Sequence, residues 1–470
     1  MVFSSPTFLF LFLPVVLLGA WLSRRSWRNV FLLIASLIFY AWGEPFYVLL
    51  LLFSCVMNYA AGLWIGKTSA ERRKLPLTLG IIGNLALLGF FKYTNLICDT
   101  INTTLAAEWV RLPDIPLPIG ISFFTFQALS YLIDIHRGHV APQRSLINLT
   151  LYISMFPQLI AGPIVRYEII AHELTERSIT WEKFAYGIRR FIIGLSKKVI
   201  IADAMAGVAD TVFALPPDQC TTALVWVALL AYGLQIYFDF SGYSDMAIGL
   251  GAMFGFSFPE NFNYPYIASS VKEFWRRWHL TLSTWFRDYL YIPLGGNRCG
   301  KWRNAFNLAL VFALCGIWHG ASWSFLIWGL YHGFFLIIER GWWGRMVDRL
   351  WAPVKHLYLI FIVLIGWLFF RVEDFGEALR FLGVLFGFGA SDVAYYPLPM
   401  VVDTEAWIVM AVGIIAATPL FRLLSQRTNS LTFLSDWTET IKFVLLYVLF
   451  CLAIILMVSS THSPFLYFRF

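Results

Sequence analysis

Long apolar runs broken by short charged clusters set the pattern of this chain. The first run, Phe8 to Leu22, stops at Arg24, Arg25 and Arg28; runs 30–42 and 46–66 follow, divided by Gly43-Glu44-Pro45, and end at Lys67, Arg72, Arg73 and Lys74. Two passes return the chain to one side, so the positive-inside rule places both basic clusters in the cytoplasm and the N-terminus outside. Run 30–42 is short for a hydrocarbon core of about 30 Å, which predicts a tilted or partly re-entrant segment. Run 75–91 then leads outward to a connection carrying Lys92, Asp99, Glu108, Arg111 and Asp114. The stretch 117–139 comes back, with glycine, serine and threonine suited to close helix packing.

Between 146 and 214 the pattern breaks, because Pro157, Gly162 and Pro163 interrupt LYISMFPQLIAGPIVRYE and 166–198 is rich in charge. A re-entrant piece followed by a surface helix is expected. Irregular backbone at membrane depth survives only where protein or a water-filled cavity satisfies it, so the broken piece reads as a cavity wall. Run 221–256 holds Asp239 and Asp245 in apolar sequence; buried acids need partners, and these two serve either a proton relay or structural bonds to neighbouring helices. Later runs cover 356–370, 381–389, 406–421 and 441–458. The sum is ten to twelve membrane-embedded segments in an all-α polytopic protein, without the inverted halves that mark many transporters.

Composition narrows the class. Of 470 residues 59% are hydrophobic and 13% charged, against about 25% charged in soluble domains. The net charge of +7 is spread over short loops, so it sets topology and implies no nucleic acid. The six cysteines are scattered without a C-x-x-C pair, which argues against a zinc site or a disulfide framework. His136 and His139 sit at a span end with no third ligand nearby, and no metal is expected. The opening lacks an early basic region and reads as a retained first span.

Charge, histidine and aromatic rings concentrate between Lys272 and His332. On a helix of about 100° per residue, Lys272, Arg276, His279, Ser283 and Arg287 share one arc, and Phe274, Trp278, Leu282, Trp285 and Tyr289 the opposite one. A helix lying along the membrane surface is predicted, its cations meeting either lipid phosphates or an anionic substrate. His319 lies between FNLALVFALCGIW and ASWSFLIWGLY, with no acidic residue from Lys301 to Tyr331. A histidine at that depth either lines a substrate path and exchanges protons or is satisfied by a backbone carbonyl. On an unbroken helix His332 would be rotated by about 220° from His319 and shifted by ~20 Å, so the two are not expected to act together.

NFNYPY (261–266), EFWRRWHLTLSTWFRDYLY (273–291), LGGNR (294–298) and WHG (318–320) resemble the membrane-bound O-acyltransferases, and among them the alginate O-acetyltransferase branch. MVFSS, LPIGISF, FPQLIAGP, YFDFSGYSDMAIGLG and the closing SPFLYF extend the likeness over nearly the whole chain. The resemblance implies one membrane-embedded domain over 1–470, a ring of spans with re-entrant and interfacial helices, and a central tunnel entered from both faces. It implies His319 as catalytic base and His279 as second active-site residue, with Lys272, Arg276, Arg287, Asn261, Trp318, Asp239 and His332 on the donor-binding surface or in the tunnel.

The same resemblance implies acetyl-CoA as co-substrate without a bound cofactor, its phosphates met by Lys272, Arg276 and Arg287. His319 would take a hydroxyl proton, and His279 would orient the donor or stabilise the oxyanion. Implied partners are a periplasmic acetyltransferase, an exopolysaccharide synthesis and export complex, and membrane lipid; the implied location is the bacterial inner membrane. The polymer is alginate or cellulose, since RLLSQRTNSLTFLSDWTETIK is shorter than the insertion of alginate-type members. The closing aromatic motif resembles a tail that docks at the acyltransferase of D-alanylation machinery. Rival readings are D-alanyl transfer to teichoic acid, a transporter and a non-catalytic export scaffold.

Overall fold

The computed structural model describes residues 1–106, 115–391, 395–429, 435–459 and 465, among which helices are the only regular elements. A π-helical turn at Phe8–Phe12 leads into α1 (Leu13–Leu22), followed by α2 (Arg28–Gly43), α3 (Tyr47–Lys67), α4 (Lys74–Thr104) and α5 (Ile121–Arg137). All but α4 grow from one apolar run and stop at or just before charge or glycine; α5 ends at Gly138, whose φ of +77° is the left-handed close that glycine permits. α4 outlasts its apolar run, so Lys92 and Asp99 lie on the helix and not in an outer connection. The stem of Lys92 packs in apolar surroundings while Nζ donates to Ser122 Oγ at 3.2 Å. Glu108, Arg111 and Asp114 lie outside the described residues.

The proline- and glycine-broken stretch becomes α6 (Leu146–Ser154), α7 (Phe156–Leu159) and extended chain up to α8 (Tyr167–Thr175). Side chains take up its free backbone groups: Ser36 Oγ accepts from Phe156 N at 3.2 Å, and Tyr152 Oη donates to Val165 O at 2.9 Å. α9 (Trp181–Ser196), α10 (Asp203–Phe213) and α11 (Thr222–Met253) follow, then the short α12 (Val271–Trp275) and α13 (Leu280–Phe286), α14 (Lys301–His319), α15 (Trp323–Ile338), α16 (Trp342–Asp348) and α17 (Ala352–Arg371). α18 (Phe375–Leu385) starts ahead of the run expected at 381–389, because Asp374 caps it by accepting from Glu377 N at 2.7 Å. α19 (Leu398–Val401), α20 (Thr404–Ala416), α21 (Leu420–Asn429) and α22 (Ser435–Ser459) complete the described helices.

Among the described residues five helices are long and apolar enough to cross a membrane: α3, α4, α11, α17 and the 439–459 part of α22; Phe8–Leu22, α2, α15 and α20 are shorter apolar helices. Only 11% of the apolar window of α22 is buried, and Phe443, Tyr447 and Ile455 stand more than 60% exposed. Water would oppose so large an apolar face, whereas hydrocarbon leaves it unpenalised. The chain is an all-α polytopic membrane protein.

Cα packing divides the described residues into two compact units, Met1–Phe191 with Tyr243–Glu260, and Ile192–Gly242 with Asn261 onward. The core of the first is a cluster of rings from Phe3, Phe8, Phe12, Phe39, Phe156 and Tyr243, with Phe3 stacked on Tyr243 at 4.6 Å. Here Asp245 of α11 is held by Arg190 at 2.7 Å, which also reaches Glu260. In the second unit, α14 and α15 form a hairpin in which Gly316 and Gly329 face each other. A Cβ at Gly316 would run into the Phe325 carbonyl oxygen, and one at Gly329 into that of Phe312.

Candidate active site

Every residue proposed from the sequence for the site belongs to the second unit. The surface helix expected over Lys272–Arg287 is not one helix. α12 ends at Trp275, α13 begins at Leu280, and His279 between them has left-handed backbone, φ 44° and ψ 57°. The break comes from 261–263: Leu280 N donates to Asn261 O at 2.9 Å, and Arg277 O accepts from Asn263 N at 2.9 Å. Those bonds take backbone groups that a continuous helix would use, so the 100° periodicity is present without the helix. The aromatic half of the pattern holds, since Phe274, Trp278, Leu282, Trp285 and Tyr289 are all buried.

The consequence for His279 is burial to 1% exposure instead of a place on a charged stripe. Its ring packs edge-to-face against Phe240, 4.6 Å between centroids, and Nδ1 lies 2.9 Å from Asn261 Oδ1. The same oxygen accepts from Thr281 Oγ1 at 2.9 Å and Thr281 N at 3.3 Å. Burial between two short helices pushes the imidazole pKa down to about 3, so the ring is neutral.

His319 is the last residue of α14 and is 2% exposed. Gly320 must follow it, because a Cβ there would enter the ring of Phe325. The chain reverses over 320–322, where Ser322 caps α15 by accepting from Phe325 N. That reversal overturns the expected separation of His319 from His332. Trp328 lies 5.0 Å from His319 and 5.3 Å from His332, so one indole stands between the two imidazoles. On the other side Trp318 is 5.0 Å from His319 and 6.5 Å from His279. The three histidines thus alternate with tryptophans. His332 is fully buried among Trp275, Trp328 and Tyr331, and Gly366 of α17 gives room to its Nε2.

The structure brings together His279, Asn261, Trp318, His319 and His332, and places the remaining proposed residues differently. Lys272 on α12 and Arg276 just past its end are exposed and make no ion pair among the described residues. α12 is tied to the end of α15 by Glu339, whose carboxylate accepts from Val271 N at 2.9 Å and Lys272 N at 3.0 Å. Arg287 is engaged by Asp288 through two bonds of 2.6 and 3.1 Å. Asp239 is ion-paired with Lys198 at 2.7 Å, and Lys198 holds Asp203 at the same distance, which fits the structural one of the two readings for that acid. Of the closing SPFLYF only Phe465 is described; it is buried, with its ring 6.5 Å from that of Phe240. Thr281, Phe240, Trp275 and Lys198 were not singled out from sequence. Trp328, four residues before His332, could have been, since that spacing puts both on one helix face.

Residues 118–371 match the family model of the membrane-bound O-acyltransferases, and the chain belongs to that family. It is a membrane O-acyltransferase, and His279, His319 and His332 all lie within the matched region. Over the full length of both chains it is 42% identical to the protein named probable alginate O-acetylase of Pseudomonas putida. The likeness to the protein of that name from Pseudomonas aeruginosa is 48% identity over 83% of this chain and 75% of the relative. A peptidoglycan O-acetyltransferase of Helicobacter pylori is 35% identical, over 100% of this chain and 98% of its own.

Proposed function

We propose that this enzyme takes an acetyl group from a cytoplasmic thioester, acetyl-CoA, and passes it across the bacterial inner membrane for O-acetylation of an exopolysaccharide of the alginate type. The full-length identity to a probable alginate O-acetylase supports the polymer class, and the identity to a peptidoglycan O-acetyltransferase supports acetyl transfer to a sugar hydroxyl. The observation that carries the reading is the buried pair of His279 and His319, one indole apart, in the segment bearing the family motifs. His319 takes the proton of the attacking hydroxyl as its oxygen closes on the thioester carbonyl; the C–S bond then breaks and the thiolate leaves with that proton. Lys272 and Arg276, exposed cations without an ion pair among the described residues, are suited to the phosphates of the donor. The N-terminus lies on the periplasmic side, and a periplasmic acetyltransferase receives the acetyl group within an export complex.

Replacing His319 by alanine in the producing cell tests this reading. Secreted polymer should persist in normal amount with its O-acetyl content lost, and the purified variant should cease to release thiol from acetyl-CoA. Blocked secretion of fully acetylated polymer would instead establish transport, and unchanged acetylation would reduce the protein to a scaffold.

A further inference from the structure

We propose that Asn261 is a positioning residue that fixes His279 as the Nδ1–H tautomer, so that Nε2 presents a lone pair and His279 acts as a hydrogen-bond acceptor toward substrate. The orientation of the Asn261 amide follows from its neighbours. A backbone N–H only donates, and Thr281 N sits 3.3 Å from the atom in question, with Thr281 Oγ1 at 2.9 Å. That atom is therefore the carbonyl oxygen and not the amide nitrogen. Nδ1 of His279 lies 2.9 Å from the same oxygen and must carry the hydrogen. A neutral imidazole has one N–H, which leaves Nε2 as an acceptor. Among the described residues Nε2 has no partner, in a side chain 1% exposed, and a buried acceptor left in that state calls for a donor from outside the chain.

The backbone supports the assignment. His279 occupies left-handed φ/ψ, sparsely populated for residues other than glycine, and such outliers cluster at functional sites. The bonds between 261–263 and 277–280 hold the segment there, so Asn261 acts on His279 through both backbone and side chain. This excludes the role of donor to a developing oxyanion, which requires hydrogen on Nε2. The inference rests on the reading above in one respect, that the substrates are a thioester and a hydroxyl. The attacking proton goes to His319. What Nε2 receives is a second polar hydrogen, either the amide N–H nearest the thioester in the donor arm or a neighbouring hydroxyl of the sugar.

Nitrogen NMR of protein labelled at the histidine rings, with His279 identified by difference against His279→Gln, reads the tautomer without any turnover. The expected signature is a pyrrole-type Nδ1 and a pyridine-type Nε2. Asn261→Asp, which still accepts from Nδ1–H and from Thr281, should keep that signature and most of kcat; Asn261→Leu should lose the signature and about 100-fold in kcat. Donor arms locate the hydrogen. A larger loss with S-acetyl-N-acetylcysteamine than with an amide-free S-acetyl alkanethiol places it on the donor, and equal losses place it on the sugar. A wild-type ring protonated at Nε2, or Asn261→Leu with unchanged kcat, overturns the proposal. Absence of wild-type turnover with every thioester overturns the donor reading and leaves the tautomer result standing.

Discussion

Gly366 offers a test of whether the alternation of histidines and tryptophans is a working arrangement. A Cβ built at this glycine would lie 2.5 Å from His332 Nε2 and 3.0 Å from its Cε1. Ordinary contact begins near 3.4 Å, so Gly366→Ala must displace the imidazole by about 0.9 Å. The ring cannot swing aside freely, because Trp275, Trp328 and Tyr331 stand 5.1 to 5.3 Å away on its other sides. The displacement is therefore handed to Trp328, and through it to His319. Misplacing a reactive constellation by that distance costs on the order of 10²-fold in rate, or about 2.7 kcal/mol. Overpacking adds about 1 to 3 kcal/mol of destabilisation, felt as a lower melting temperature in a protein that still folds. Gly333→Ala is the control: beside His332 in sequence, its Cβ would come no nearer than 3.1 Å to any neighbour, the Phe312 Cβ, with Ala309 Cα and Phe312 Cγ at 3.7 Å, a milder approach that does not touch the His332 ring. Thiol release from acetyl-CoA and thermal unfolding, measured on both variants in one detergent, make the comparison. Gly366→Ala within threefold of wild-type kcat, or Gly333→Ala as impaired as Gly366→Ala, would refute the coupling.

Lys198→Met removes the cation that Asp203 and Asp239 share and should destabilise the fold by about 3 to 5 kcal/mol; adding Asp203→Asn and Asp239→Asn should restore most of the melting temperature. Lys272→Gln combined with Arg276→Gln should raise KM for acetyl-CoA about tenfold at low salt and remove most of its ionic-strength dependence, with kcat kept. The same pair should leave KM for acetyl-pantetheine, which lacks the nucleotide phosphates, unchanged, and Arg287→Gln, whose partner is Asp288, should do little with either donor.

The spans were legible because lipid demands long apolar runs, and Asp239 and Asp245 signalled their own need for partners. The identity of those partners was not, since Lys198 and Arg190 lie 41 and 55 residues away in the chain and nothing local points to them. The Lys272–Arg287 stretch misled for a specific reason. Its periodicity describes which residues are buried, and it stays correct when Asn261 and Asn263 take the backbone bonds and break the helix. The approach of His319 and His332 to one indole was partly legible: Gly320 and Ser322 are a stop and an N-cap in sequence, and reading them so turns an unbroken helix into a hairpin. Asn261 was marked by its motif, but its bond to a histidine 18 residues on exists only in the folded chain.

The left-handed backbone at His279 constrains which residues the position will accept. Asparagine and aspartate are the other side chains at ease in that conformation, while β-branched residues are strained there. An asparagine could therefore take the place of the imidazole with the local path of the chain undisturbed. Shape and chemistry are thus separable at this one position, the turn belonging to the backbone and the reactivity to the ring.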